Sequence, residues 1–293
     1  MKKIFLYLWI ALAGLTLLSS CDKDDPDQNN SIFDTNPPYR NSFDTWLLEN
    51  YTQPYNTRVF YLLKDIESDF NYNVIPAELQ KAKQMAFLLK YLWLEAYESV
   101  AVDGVHFVRA TVPRIFHYVG SAEYNDNGTI RLGVAEGGVK ITITQVNDLD
   151  PYNIVNQNFF NTVHHEFGHI LNQAKPYPIE FGQITPTEYV PTTWQNRTEA
   201  NAAIAGFVSQ YAGKLPGEDF VEVLARYLTW TPAQWNAKLT QAGATGKPLI
   251  EKKLEMVKSY MKTSWGVDVD KLKNEVQRRA KEIQTMDLNN LGF

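Results

Sequence analysis

The sequence predicts an α+β fold in which a small mixed sheet precedes a mostly helical C-terminal half. Three observations carry that reading. From about Gly104 to Thr144, β-branched and aromatic runs alternate with turn signals. Beyond residue 157, apolar residues recur at spacings of three and four almost to the end. Hydrophobic residues make up 44% of the chain, enough to give the roughly 260 residues after the N-terminal segment one sizeable core.

That N-terminal segment is set aside from the fold. Lys2 and Lys3 precede an apolar run from Ile4 to Leu18, too short to span a bilayer comfortably, which ends in Leu18-Ser19-Ser20-Cys21. This pattern is similar to a bacterial lipoprotein signal, so residues 1–20 are expected to be removed and Cys21, the one cysteine, to carry lipid. Residues 21–40 then read as a flexible tether, acidic from Asp22 to Asp27. An acidic run after such a cysteine resembles the surface-export signal of Bacteroidota lipoproteins, which implies an outer-membrane protein facing outward. A solvated spacer with no address would look the same. The formal net charge is −5, and losing Lys2 and Lys3 with no acids gives −5 − 2 = −7. No basic surface for nucleic acid is expected, and no second apolar run is long enough to cross a membrane.

Residues 41–293 read as one domain, with a helical portion, 41–100, packed on 101–293. A short helix is expected over Asp44–Glu49 and a strand over Thr57–Leu63. Pro76 should open a helix whose stripe is Leu79, Ala82, Ala86, Leu89, Trp93 and Ala96. Strands follow at Val105–Val108 and Arg114–Val119, then a turn at Asn127-Gly128, a strand at Thr129–Leu132, and an alternating strand at Val139–Thr144. That last strand is a candidate edge for pairing with an extended substrate. His106 and His117, each alone on a strand, read as structural. Helices are expected at 157–173, 196–212, 217–229, 231–242, 247–262 and 268–284.

The first of these helices contains His165-Glu166-Phe167-Gly168-His169. Histidines at i and i+4 project from one face, so both imidazoles can reach one ion. Zinc favours such ligands, lowers the pKa of a bound water, and leaves Glu166 placed to take the proton as general base. His164 points about 100° away around the helix and reads as structural. A third ligand must come from elsewhere, because Asn172 and Lys175 stand where a metzincin needs Gly and His. The best candidate is Glu218, with Glu222 one turn later to orient a histidine ligand. Acids in a first helical turn are also favoured by the helix dipole without any metal.

The stretch from His165 to Glu222 resembles the zinc site of the anthrax toxin lethal factor family, which shares HEFGH, a tyrosine, a ligand glutamate seven residues after it and another four further on. The resemblance implies that Tyr211 steadies the oxyanion, Glu218 binds zinc and Glu222 supports a ligand. Over its full length the chain resembles zinc metallohydrolase lipoproteins of the Bacteroidota that accompany SusC-like and SusD-like TonB-dependent import systems. The residues that carry this are Cys21, the Trp46 to Asn56 segment, the HEFGH helix and Glu218-Asp219-Phe220-Val221-Glu222. Membership implies a zincin-like fold, a zinc-dependent hydrolase of peptides or proteins and an import complex as partner. The rivals are a zinc hydrolase of glycopeptide or cell-wall amides and a binding lipoprotein without turnover; an intact Glu166 argues against the latter.

Overall fold

Asn41 starts the first helix with a reciprocal cap: its side chain accepts from the Asp44 amide at 2.8 Å, and the Asp44 carboxylate accepts from the Asn41 amide at 3.0 Å. The computed structural model describes residues 40–293 apart from 125–129, 132, 137 and 154–157; Cys21, the tether and the Asn127-Gly128 turn lie outside the described residues. Helix α1 (Ser42–Leu47) continues through wider turns to Tyr55, where Asn56 takes a left-handed conformation with φ of 57° and releases the chain into strand β1 (Arg58–Phe60).

Helix α2 (Leu79–Leu89) begins three residues later than expected, because Pro76 forms an isolated bridge with Val119 instead. Its stripe is core at Ala82, Ala86, Leu89, Trp93 and Ala96, whereas Leu79 is exposed. A π turn, Lys90–Leu94, leads into α3 (Glu95–Val100). The strand expected at Val105–Val108 is instead helix α4 (Gly104–Thr111). Phe107, Val108 and Thr111 are buried on one side, and Phe107 stacks on Tyr97 with centroids 6.1 Å apart. Packing therefore overrides the β-branched preference of the segment.

Strands β2 (Ile115–Tyr118), β5 (Gly133–Glu136) and β6 (Lys140–Ile143) join β1 in a sheet of order β1-β2-β6-β5, with β3 (Glu123–Tyr124) and β4 (Ile130–Arg131) paired separately. β1, β2 and β6 are parallel, in register Val59↔Phe116↔Ile141, and β5 runs antiparallel to β6. The expected edge at Val139–Thr144 is thus an interior strand. Its alternation misleads because Thr142 and Thr144 are buried as fully as Ile141 and Ile143. Such burial on both faces is what parallel strands require. Among the described strands, the edge beside β6 is β5.

The helical half comprises α5 (Asn158–Ala174), α6 (Glu199–Ile204), α7 (Pro216–Thr229), α8 (Pro232–Trp265) and α9 (Val269–Glu282). The helix expected over 196–212 survives only as α6, and Tyr211 sits in a 3-10 turn after it. The helices expected at 231–242 and 247–262 join as α8 across a kink at Gly243, whose φ of 63° suits glycine. The result is a mixed α+β protein, mostly helical, whose described strands form a small four-stranded sheet and a separate two-stranded pair.

Two contacts fix α5. Phe167 is buried against Trp93, Tyr97 and Phe107, with centroids 5.1 to 6.2 Å apart, and burying such a ring contributes about 2–3 kcal/mol. On the other face Gly168 meets α7: a Cβ there would lie 2.8 Å from Val221 Cγ1. The glycine of HEFGH is what lets the two helices approach.

Candidate metal centre

That approach brings three donor atoms together. His165 and His169 stand one turn apart on α5, and Glu218 sits in the first turn of α7, which begins at Pro216. His165 Nε2 lies 3.2 Å from Glu218 Oε2 and 3.2 Å from His169 Nε2, and His169 Nε2 lies 3.1 Å from Glu218 Oε2. Among the described residues, this is the group of three whose donors could hold a metal ion.

The donor set fits zinc. A tetrahedral ion with bonds of about 2.0–2.1 Å needs its ligand atoms about 3.3 Å apart, close to the three observed separations. The tautomer fits as well. His165 Nδ1 donates to Glu222 Oε1 at 3.0 Å, which turns Nε2, the nitrogen a metal would take, toward Glu218 and His169. Glu222 is itself buried and held, its Oε2 accepting from Ser209 Oγ at 2.6 Å and from Arg226 Nε at 3.2 Å.

Charge distribution points the same way. Burial disfavours a charged His165, yet the carboxylates of Glu218 and Glu222 outweigh it and push the imidazole up to about 10. Burial likewise raises Glu218 and Glu222. It is overcome at Glu218 by His165 and His169, and at Glu222 by Arg226 and His165, so both carboxyls lie well below their ordinary range. One buried carboxylate, Glu222, and one half-buried, Glu218, here call for a cation, whether proton or metal.

The remaining expected residues fall as follows. Glu166 is half-buried, and its charge raises both His165 and Tyr211. The Tyr211 hydroxyl donates to Glu218 Oε1 at 2.9 Å; burial, then Glu218, pushes the phenol far up, so it stays protonated. His164 points away, buried beside Tyr97 with Nδ1 3.3 Å from the hydroxyl, and burial lowers it to about 3. His106 is exposed on α4, and His117 is buried on β2.

Sequence reasoning missed Ser209, Arg226 and Lys214. Lys214 Nζ lies 3.3 Å from the Tyr211 hydroxyl and 3.4 Å from Glu218 Oε1. Arg226 was within reach, since it stands four residues after Glu222 on one helical face. Ser209 has no local signal, because only the turn after α6 brings it to Glu222.

A pair of helical histidines and a carboxylate from a second helix, set on a small mixed sheet, defines a metal-dependent hydrolase class. Residues 36–270 match the family described as "Putative zinc-binding metallo-peptidase", and the chain belongs to that family. Its fold is similar to a crystal structure from Bacteroides caccae ATCC 43185, described in the same words. The two share 46% identity and a TM-score of 0.76, over 88% of this chain and 99% of that one. No curated protein matches the chain.

Proposed function

We propose that the protein is a zinc-dependent peptidase with a zincin-like fold, carried outside the cell on a lipid at Cys21. The observation that carries the reading is the convergence of His165 Nε2, His169 Nε2 and Glu218 Oε2 to within 3.1–3.2 Å of one another. Zinc bound there supplies Lewis acidity toward a water and a substrate carbonyl. Glu166 takes the proton of the attacking water and passes it to the departing amine. Tyr211, a hydroxyl at all working pH values, donates to the oxyanion as it forms. Glu222 holds His165 in the tautomer that leaves Nε2 free for the metal. An extended peptide is the substrate, and β5, the edge strand among those described, is where its backbone pairs. The lipid anchor and the family resemblance support a place at the outer membrane, beside a SusC/SusD-like importer.

The test uses the mature domain, residues 31–293, with Glu218→Ala and Glu166→Gln variants. Elemental analysis should find about one zinc per parent chain and a clear loss in Glu218→Ala. Glu166→Gln should keep its zinc and lose hydrolysis of a peptide library. Hydrolysis that survives Glu166→Gln would refute the assignment of the base.

A further inference from the structure

Lys253, on α8, is fully buried, and so is its partner Asp219. Its ammonium lies 2.6 Å from Asp219 Oδ2 and donates at 2.8 Å to the Gly206 carbonyl. It also lies 3.9 Å from the centre of the Phe207 ring. Asp219 accepts a further bond from the Tyr189 hydroxyl at 2.8 Å. No step of the proposed reaction uses these groups.

What the lysine joins is informative. Asp219 follows Glu218 in the first turn of α7 and precedes Glu222 by three residues. Gly206 precedes Ser209 by three residues and Tyr211 by five. Ser209 donates to Glu222, and Tyr211 donates to Glu218. The two segments that build the carboxylate side of the centre therefore meet at one ammonium on a third helix. The backbone at Gly206 is pressed onto the same helix: φ is 91°, and a Cβ would lie 2.7 Å from Leu249 Cβ. A buried ion pair is a poor source of stability compared with apolar side chains of similar volume. Its directional bonds do fix where the two segments sit.

We propose that Lys253 is a positioning residue for the metal centre, holding the first turn of α7 and the Gly206–Tyr211 loop at one fixed separation. The proposal rests on His165, His169 and Glu218 being the zinc site. Held this way, Glu218 presents Oε2 to the metal while Oε1 stays with Tyr211, and Glu222 is kept between Ser209 and His165. Without the strut, each carboxylate must be ordered at the expense of zinc affinity.

The experiment is a zinc competition titration against a chelator of known strength, paired with thermal unfolding of the zinc-free proteins. The parent is compared with Lys253→Met and with the double variant Asp219→Asn/Lys253→Met. Lys253→Met alone leaves Asp219 buried without its cation and is expected to fold poorly. The double variant leaves neither charge buried, so it should unfold close to the parent while binding zinc about tenfold more weakly, the scale of losing a group that supports a ligand. A double variant that keeps the parent's zinc affinity would overturn the proposal. Should that variant also fail to fold, hydrogen exchange on the parent decides. Zinc must slow exchange at residues 206–208 and in the α8 turn around Lys253 together with α7, and protection confined to α5 and α7 overturns it. A parent that takes up no zinc would instead sink the metal assignment itself.

Discussion

Tyr211 and Glu218 are joined by a hydrogen bond of 2.9 Å from the phenol to Oε1, the carboxylate oxygen turned away from the histidines. The hydroxyl proposed to steady an oxyanion is thus already engaged with a proposed metal ligand. Lys214, 3.4 Å from the same oxygen, stands by as a second donor when the phenol turns to substrate.

Tyr211→Phe should therefore separate binding from turnover. Zinc should stay bound, because Oε2 and both imidazoles are untouched. The kcat should fall about 10²–10³-fold, the usual consequence of removing one oxyanion donor. Zinc content and kcat measured on the same preparation check this; an unchanged kcat would exclude the phenol from the reaction.

The pH dependence follows from His165. Its folded value, about 10, lies above the ordinary 6.5, so the stability it contributes is full below about pH 6.5 and is lost as pH rises through 10. Glu218 and Glu222 are depressed from 4.5, so their contribution holds above that pH and is lost on acidification. The zinc-free protein should be most stable between about pH 4.5 and 6.5. Zinc must displace the His165 proton, so binding at pH 7 should release about one proton. Calorimetry in buffers of different ionisation enthalpy measures it, and release of none would mean that His165 is already neutral.

Gly168→Ala should destabilise by about 1–3 kcal/mol through overpacking, since the new methyl meets Val221 Cγ1 at 2.8 Å. It should also weaken zinc binding, because α7 carries Glu218 and must retreat. Adding Val221→Ala should recover part of the zinc affinity, a coupling expected of side chains in direct contact. Additive effects in the double variant would show that the two helices do not depend on this contact.

How much of this was legible in the sequence depended on distance along the chain. The pairs His165/His169 and Glu218/Glu222 sit four residues apart on helices, where sequence spacing translates directly into a shared face. The strand Ile115–Tyr118 and the long helices were readable from residue type and period. Misreadings arose where tertiary burial outweighed local preference. Val105–Val108 is rich in β-formers but offers Phe107 to the aromatic cluster around Phe167, which a helix satisfies. The Val139–Thr144 alternation could not show that its threonines are buried. Ser209 and Lys253 were invisible because their partners lie 13 and 34 residues away, with no periodicity linking them. The segment read as a lipid signal lies outside the described residues, so the proposed outer-membrane placement is argued from the sequence.

The parallel pairing of Arg58–Phe60 with Ile115–Tyr118 carries a consequence for how the chain reaches this state. More than fifty residues separate the two strands, so β1 must wait through the making of three helices before its neighbour exists. Folding should accordingly be slow, with closure of that long loop in the rate-limiting step. A fragment cut near residue 100 would strip β1 from β2, leaving a row of unpaired backbone groups beside buried Phe116 and Tyr118. Such a fragment should aggregate rather than behave as a minimal catalytic unit.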